Sequence, residues 1–458
     1  MSVPLQQTPP EGRAVSFWEA MYGDYTPNRP LSNNIDVDVA IIGGGYTGLT
    51  TAREVMKDSP GSKVAVLEGQ YIGFGASGRN GGFNMSLFGL EPETTVLRWG
   101  KKRTHEAHDY MTRAIEYVRQ LVSETNIDSD YEHTGMLRVA YAPAQVKRLR
   151  NTMKLLNSFD KTGQRYQFLE KSHLRDRVNT DTFQAAIFEP DTGILNPLKH
   201  VRALKGLAET AGAKIYENTA VTHIERQGNI ISLKTKLGTV RCKKLVIAAN
   251  AWSSQIKGLP RIRSRQTPVW TAQVVTEVLS EKLWDEIGWA NRESIEDNRQ
   301  LVHYFRRTAC GRISIGGGDT ARPRNTTMSH MDCTLIWNML ERRLKWMFPA
   351  LSDVRFDARW GGPVSVNLDM TPEIGHIGDE RIIYACGCIG HGVSLTQLNG
   401  RLIADLLLEK KSNLTNFWMV NRKAIPWPGP IGAIAFKTIN HGLHLWDRME
   451  ERNLPKAF

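Results

Sequence analysis

Residues 37–82 read VDVAIIGGGYTGLTTAREVMKDSPGSKVAVLEGQYIGFGASGRNGG, and this stretch decides the fold. Val37, Val39 and Ile41 alternate with Asp38, Ala40 and Ile42 in a short, mostly apolar run that suits a central strand of a parallel sheet. Gly43-x-Gly45-x-x-Gly48 follows directly. Gly43 permits a tight turn out of the strand. Gly45 has no Cβ to hold a phosphate off the backbone, and Gly48 lets a helix pack closely on the strand. Leu49, Ala52, Val55 and Met56 then recur at helical spacing. Tyr46 and Thr47 therefore open a helix whose free N–H groups and positive dipole end favour an anion. Lys63 to Leu67 is a second apolar strand, closed by Glu68, 20 residues after Gly48. A carboxylate at that place accepts a ribose hydroxyl. Glycine-rich turns without a ligand are common, but here strand, turn, helix, strand and acid agree on a site for the ADP half of a dinucleotide. The carboxylate also argues against a 2′-phosphate.

Composition bounds the rest. A chain of 458 residues suggests two or three domains, and 41% apolar with 23% charged residues is the balance of a soluble globular protein. No apolar run approaches the ~20 residues that cross a bilayer. The first residues, MSVPLQQTPPEGRAV, lack the apolar core of a secretory signal, so a cytoplasmic location is expected. The five cysteines (Cys242, Cys310, Cys333, Cys386, Cys388) are widely spread, which suggests buried thiols rather than disulfides or a metal cluster. The net charge of +12 is dispersed, as in Lys101-Lys102-Arg103 and Arg306-Arg307, with no long basic block. No nucleic-acid partner is expected, although the charge suits an acidic substrate.

The organisation follows from periodicity. Residues 1–35 are proline-rich and irregular, with a short aromatic piece at Ser16-Phe17-Trp18. Residues 104–124 place Ala107, Met111, Ala114, Ile115, Val118, Leu121 and Val122 on one helical face. Further helices are expected over 143–159, 200–211 and 331–347. Residues 214–250 read as a meander of strands that ends at Ala249-Asn250-Ala251-Trp252, where small residues allow another close approach to a ligand. Longer strands follow over 267–276 and 312–316. Residues 382–386 form a strand, then comes Gly387-Cys388-Ile389-Gly390-His391-Gly392, then a long helix from Val393 bearing Leu395, Leu398, Leu402 and Leu406. A second glycine-preceded helix N-terminus can stabilise negative charge on a reduced flavin, and a plain turn is the competing reading. His391, between two glycines, is expected to contribute backbone, its ring turned aside.

Taken together, Gly43–Gly48 with Glu68 and Gly75-Ala76-Ser77-Gly78-Arg79-Asn80-Gly81-Gly82 resemble the FAD-dependent amine and amino-acid oxidoreductases of the D-amino-acid oxidase superfamily. The pattern is similar to the gamma-glutamylputrescine oxidase-like branch. Tyr304-Phe305-Arg306-Arg307 through Gly316-Gly317-Gly318, Asp369-x-x-Pro372-x-x-Gly375, and Gly390-His391-Gly392 with Gly400-Arg401 extend the likeness over nearly the whole chain.

The resemblance implies an α/β fold with an α+β second domain. It implies a Rossmann-like FAD-binding domain made of discontinuous segments (36–130, 196–255 and 351–415). A substrate domain (131–195 and 256–350) would be inserted on a large mixed or antiparallel sheet. Residues 1–35 would be an N-terminal extension, and 416–458 a tail with an amphipathic helix. It further implies hydride transfer from the carbon of a neutral primary or secondary amine to flavin N5, hydrolysis of the imine, and reoxidation by O2 to hydrogen peroxide. Gly43, Gly45 and Gly48 would hold the pyrophosphate, and Glu68 the ribose. Gly75, Ala76, Ser77, Arg79, Asn80, Gly81 and Gly82 would form the loop under the flavin, with Arg79 supplying charge near the ring. Val221 would meet the adenine, Ala249, Asn250 and Trp252 the pyrophosphate, and Gly390, His391, Gly392 and Val393 the flavin's N1 side. Neither a histidine after Ser77 nor a clear attachment cysteine is present, so FAD is expected to be non-covalent.

Trp270 and Tyr304 lie on strands expected to wall an amine pocket, with core packing as the competing role for Trp270. His303 and Arg306 are weaker candidates, and no metal site is expected. Oxidase and quinone-linked dehydrogenase remain open, as does a flavoprotein without turnover. In the tail, Ile431, Ile434, Ala435, Ile439, Leu443 and Trp446 form a stripe beside the basic Lys437–Arg448 stretch. Peripheral membrane contact is one use of it, and packing on the body is the expected one.

Overall fold

The apolar alternation of the first strand is what places it at the centre of a sheet covered on both faces. In the computed structural model, which describes residues 15–258, 262–322, 331–429 and 432–454, Ile35–Ile42 is flanked by two parallel neighbours, Val64–Leu67 and Thr239–Ile247. Ile41 points into a core with Leu49, Val55, Leu198, Leu204, Leu395 and Leu402. These residues lie on the helices Tyr46–Asp58, Pro197–Thr210 and Gly392–Leu407. Ala40 and Ile42 point the other way, with Leu233, Leu245 and Ile247.

The complete order of this sheet is Glu373–His376, Ile382–Cys386, Thr239–Ile247, Ile35–Ile42, Val64–Leu67, Lys214–Tyr216. Only Glu373–His376 runs antiparallel to its neighbour in that path. The strands His223–Gln227 and Ile230–Lys234 extend Thr239–Ile247 as an antiparallel meander. Lys214–Tyr216, expected in that meander, instead closes the parallel edge beside Val64–Leu67.

A second eight-stranded sheet runs Phe356–Val366, Thr267–Thr276, Ile313–Gly317, His303–Arg307, Ser294–Asp297, Met136–Ala140, Ala185–Glu189, Gln167–Glu170. All neighbours are antiparallel except Ser294–Asp297 with Met136–Ala140. Its alternation divides the faces. Leu137, Val139, Val274, Ile295, Phe305 and Ile315 pack under the helix Thr334–Met347 through Leu340 and Leu344. The opposite face looks toward the Gly75–Gly82 loop. The expected class, a mixed α/β fold with large mixed sheets, is what the chain adopts.

Four expectations change. Phe356–Val366, assigned from sequence to the FAD-binding segment 351–415, pairs in register with Thr267–Thr276 along its length and belongs to the second sheet. The helix expected over 104–124 spans Pro92–Thr125, broken at Gly100, whose φ of 79° no helix tolerates. Phe17–Tyr22 is a helix, not an irregular piece: the Ser16 hydroxyl accepts the Glu19 N–H, and Phe17 and Trp18 are buried. Residues 1–14 of the expected extension lie outside the described residues. Finally, the tail helix Gly432–Glu450 buries its apolar stripe only in part: Ala435 and Leu443 are half-buried, while Ile434, Ile439 and Trp446 are exposed. Ile431 lies outside the described residues. Among those residues no helix is long and apolar enough to cross a membrane.

Candidate active site

The turn after the first strand is tight because no side chain fits there. Gly43 has φ +107°, and a Cβ on it would meet the Ala248 carbonyl oxygen at 2.6 Å. A Cβ on Gly48 would come within 2.0 Å of the Gly43 carbonyl oxygen, so the helix sits directly on the turn. Gly45 caps that helix with no side-chain hydrogen bond, which leaves the N-terminal field open to the cavity in front of it. The Ser77 hydroxyl accepts the Tyr46 N–H at 3.1 Å and ties the Gly75–Gly82 loop to the turn. Glu68 receives the Gly44 N–H at 2.8 Å on one oxygen and the Gln70 N–H at 2.9 Å on the other. Burial pushes its carboxyl above the ordinary range, against these two donors, and each oxygen retains a lone pair for a further donor.

These pieces share one cavity of about 330 Å³. Gly43, Gly45, Tyr46, Thr47 and Glu68 line it, with Val221, Ala249, Asn250 and Trp252. Gly75, Ala76, Ser77 and Asn80 form another part of the wall, and Gly390, Gly392 and Val393 come from the far end of the chain. The helix Gly392–Leu407, capped by His391 without a side-chain bond, presents a second open N-terminus there. Two uncapped helix ends, a pinned carboxylate and a glycine cradle fit a dinucleotide with an extended, anionic middle.

Some expected residues stand elsewhere. Gly48 shapes the turn from behind. Gly81 and Gly82 face the second sheet: Arg306 donates to both of their carbonyls and to that of Leu195. Arg79 is buried with Nε donating to the Gly361 carbonyl at 2.7 Å, so its head turns toward Phe356–Val366 and it is not part of the cavity wall. Trp270 lies in the core under Thr334–Met347, on the opposite face from Gln273, so it packs rather than walls a pocket. His303 is on that core face too, its Nδ1 2.6 Å from Asp297. His391 is not among the residues that line the cavity. Burial and then Arg138 pull its imidazole down to about 4, so it is neutral at physiological pH.

Tyr304 does stand over the loop. Its ring packs edge-on against Phe83 at 5.7 Å, and a Cβ on Gly81 would lie 3.2 Å from it. It belongs to a row that crosses the second sheet in register: Arg138, Glu296, Tyr304, Gly316, Gln273, Trp360. Gln273 and Trp360 donate to the Arg79 carbonyl at 2.8 and 2.9 Å, fixing the loop's height above the sheet. Arg138 pairs with Glu91 at 3.3 Å. Glu296, only 6% exposed, is pushed up to about 8 by burial, against the pull of Arg138. Arg138, Glu296 and the buried Glu189 nearby are functional candidates that the sequence does not flag. Single charged residues inside apolar strands are their only trace. Cys386, Cys388, Gln70, Ala220, Val364 and Asn399 also line the cavity unforeseen, because cross-chain packing brings them there.

Residues 38–406 match the protein family described as FAD dependent oxidoreductase. The chain is 30% identical over 415 residues to the gamma-glutamylputrescine oxidoreductase of Escherichia coli (strain K12), covering 90% of this chain and 93% of that protein. It is 25% identical over 386 residues to the glycine oxidase of Bacillus subtilis (strain 168), covering 82% of this chain and 94% of that protein. In structure it resembles glycine oxidase from Geobacillus kaustophilus (TM-score 0.70, 22% identity, 85% of this chain and 100% of that one). L-Proline dehydrogenase from P.horikoshii has the same fold (TM-score 0.68, 22% identity, 86% and 97%).

Proposed function

The chain belongs to the family of FAD dependent oxidoreductases, and from that premise we propose that it oxidises the C–N bond of a primary or secondary amine, with O2 as acceptor and hydrogen peroxide as by-product. The observation that carries this reading is the single cavity in which the Gly43–Thr47 turn, Glu68, the Ser77–Asn80 loop and Gly390–Val393 meet. The names of the relatives, which carry glycine and gamma-glutamylputrescine, support an amine as substrate.

The Gly43–Gly48 turn and the two helix ends would hold the pyrophosphate and the flavin end of FAD, and Glu68 the ribose. When bound, FAD supplies a two-electron acceptor. The chain's own task is to bring a neutral amine to it, because an ammonium has no lone pair to develop the imine. A buried site lowers an amine's pKa by desolvation, and Tyr304, over the loop, excludes water while keeping a polar tip. Gln273 and Trp360 hold the loop so that this placement is rigid. Cys386 and Cys388 line the cavity, but burial holds both thiols up and protonated, which supports non-covalent FAD.

Anaerobic mixing with a panel of amines and amino acids, followed by air, tests the reading. A reactive amine bleaches the flavin bands, and air restores them with release of peroxide. No bleaching by any amine or amino acid would overturn it. Recovery only with an artificial acceptor would replace the oxidase by a dehydrogenase. Acid precipitation should leave FAD in the supernatant.

A further inference from the structure

The tail helix Gly432–Glu450 leaves much of its apolar surface outward. The side against the body mixes the half-buried Phe436 and Leu443 with polar anchors. Asp447, fully buried, accepts the backbone N–H groups of Gln300 at 2.7 Å and Leu301 at 3.1 Å. Glu450 takes two bonds from Arg148, at 2.6 and 3.1 Å. Just beyond the helix, Glu451 pairs with Arg343 at 2.8 Å and Arg299 at 3.0 Å. Asn440 and His444 both reach Asp319 at 3.0 Å.

The apolar side is left outward. Ile434, Ile439, Leu445, Trp446 and Met449 are each between 44% and 66% exposed. At 100° per residue, Ile434, Leu445 and Met449 fall on one stripe, and Ile439 and Trp446 on the next. Trp446 spends its indole N–H on Glu450 at 2.9 Å, so its ring is free to enter an apolar phase without an unpaired donor. The charges are segregated as well. Asp447 and Glu450 are the acidic residues of the helix, and both are turned to the body's arginines. Lys437, His441 and Arg448 are exposed along one edge of the apolar face. At 100° per residue they lie within about 40° of each other, so the edge is uniformly basic.

We propose that this helix is an interfacial docking element that lays its apolar face on an anionic lipid surface. An in-plane helix with aliphatic and tryptophan side chains on one face and basic residues at its edge gains from both buried apolar area and attraction to anionic headgroups. The inward carboxylates serve the same end. They fasten the helix to the body by hydrogen bonds and ion pairs beside the half-buried Phe436 and Leu443, which leaves Ile434, Ile439, Leu445, Trp446 and Met449 outward, and they remove the negative charge that lipid would repel. The net charge of +12 adds long-range attraction of the same sign.

The test uses the full-length FAD-loaded protein. It should sediment with phosphatidylcholine vesicles that contain phosphatidylglycerol, be released by raised salt, and bind pure phosphatidylcholine at least ~10-fold more weakly. Ile434→Asp with Trp446→Asp should cut the anionic-vesicle binding by ~10-fold or more, while flavin absorbance and amine turnover stay unchanged. Trp446→Phe, which keeps the apolar face, should retain binding but lose part of the tryptophan quenching by brominated phosphatidylglycerol. Equal affinity for neutral and anionic vesicles, or none for either, overturns the proposal. So does a dimer in solution that the double variant splits, since a second copy would then cover the face.

Discussion

Glu68 shows how far one side chain can be read. It ends a strand at the distance from the glycine turn that a ribose partner needs, and it is pinned there by two backbone N–H groups. Glu68→Ala is expected to raise the dissociation constant for FAD by roughly 10- to 100-fold, since a hydrogen bond to a charged group is worth about 1.5–3 kcal/mol. Titration of apoprotein with FAD measures it, and unchanged affinity would remove Glu68 from the site. Glu296 makes a different kind of prediction. Its carboxyl ionises near 4.5 unfolded and is pushed up to about 8 by burial in the folded state. Between those values the folded chain keeps a proton that the unfolded chain has released, so this stability is present at low pH and is lost as pH rises toward 8. The slope is at most about 1.4 kcal/mol per pH unit. In urea midpoints against pH, Glu296→Gln should be flatter over that window than the parent, and parallel curves would contradict the placement. The placement of Glu68 at the cavity was legible because it is local in sequence. The orientations of Arg79 and Trp270 were not legible because strand partners, not neighbours in sequence, decide which way a side chain faces.

At the scale of elements, alternation along strands does the sorting. One row across the second sheet, Leu137, Ile295, Phe305, Ile315 and Val274, enters the apolar core under Thr334–Met347, and the neighbouring row builds the polar strip over the Gly75–Gly82 loop. Gly316 is the gap in that row. A Cβ there would lie 2.6 Å from the Tyr304 hydroxyl and 2.5 Å from Gln273 Cγ, so glycine lets the tyrosine ring lie across the strand. Gly316→Ala is therefore expected to displace Tyr304 and lower kcat/KM for the amine by up to about 100-fold, the cost of a misplacement near 1 Å. FAD affinity should stay unchanged, and if turnover survives intact, Tyr304 is not part of the amine site. The two helix starts were readable from glycine spacing. Phe356–Val366 was not, because its Gly361, Gly362 and Pro363 depress strand propensity, and its long pairing with Thr267–Thr276 supplies what propensity does not.

For the whole molecule, one buried carboxylate links three distant segments. Glu217 accepts the Tyr25 hydroxyl at 2.9 Å, the Asn28 N–H at 2.6 Å, the Ile72 N–H at 2.6 Å and the Lys205 ammonium at 2.7 Å. It fastens the N-terminal segment and the loop after Glu68 to the helix Pro197–Thr210. Glu217→Ala leaves Lys205 buried without its carboxylate and should cost roughly 3–5 kcal/mol, read as a lowered Tm with or without FAD. A shift no larger than that of an exposed substitution would show the network to be slack. By itself the sequence determined the cofactor-binding turn, its carboxylate, the second helix N-terminus and the α/β class. Each is written in local spacing, where backbone sterics and helix dipoles act over a few residues. Only the tertiary structure decided which residues of distant strands meet over the loop, that Glu217 joins three segments, and that the tail helix faces outward. Those outcomes depend on sheet register and on which charges find partners, and neither is encoded within any short stretch of chain.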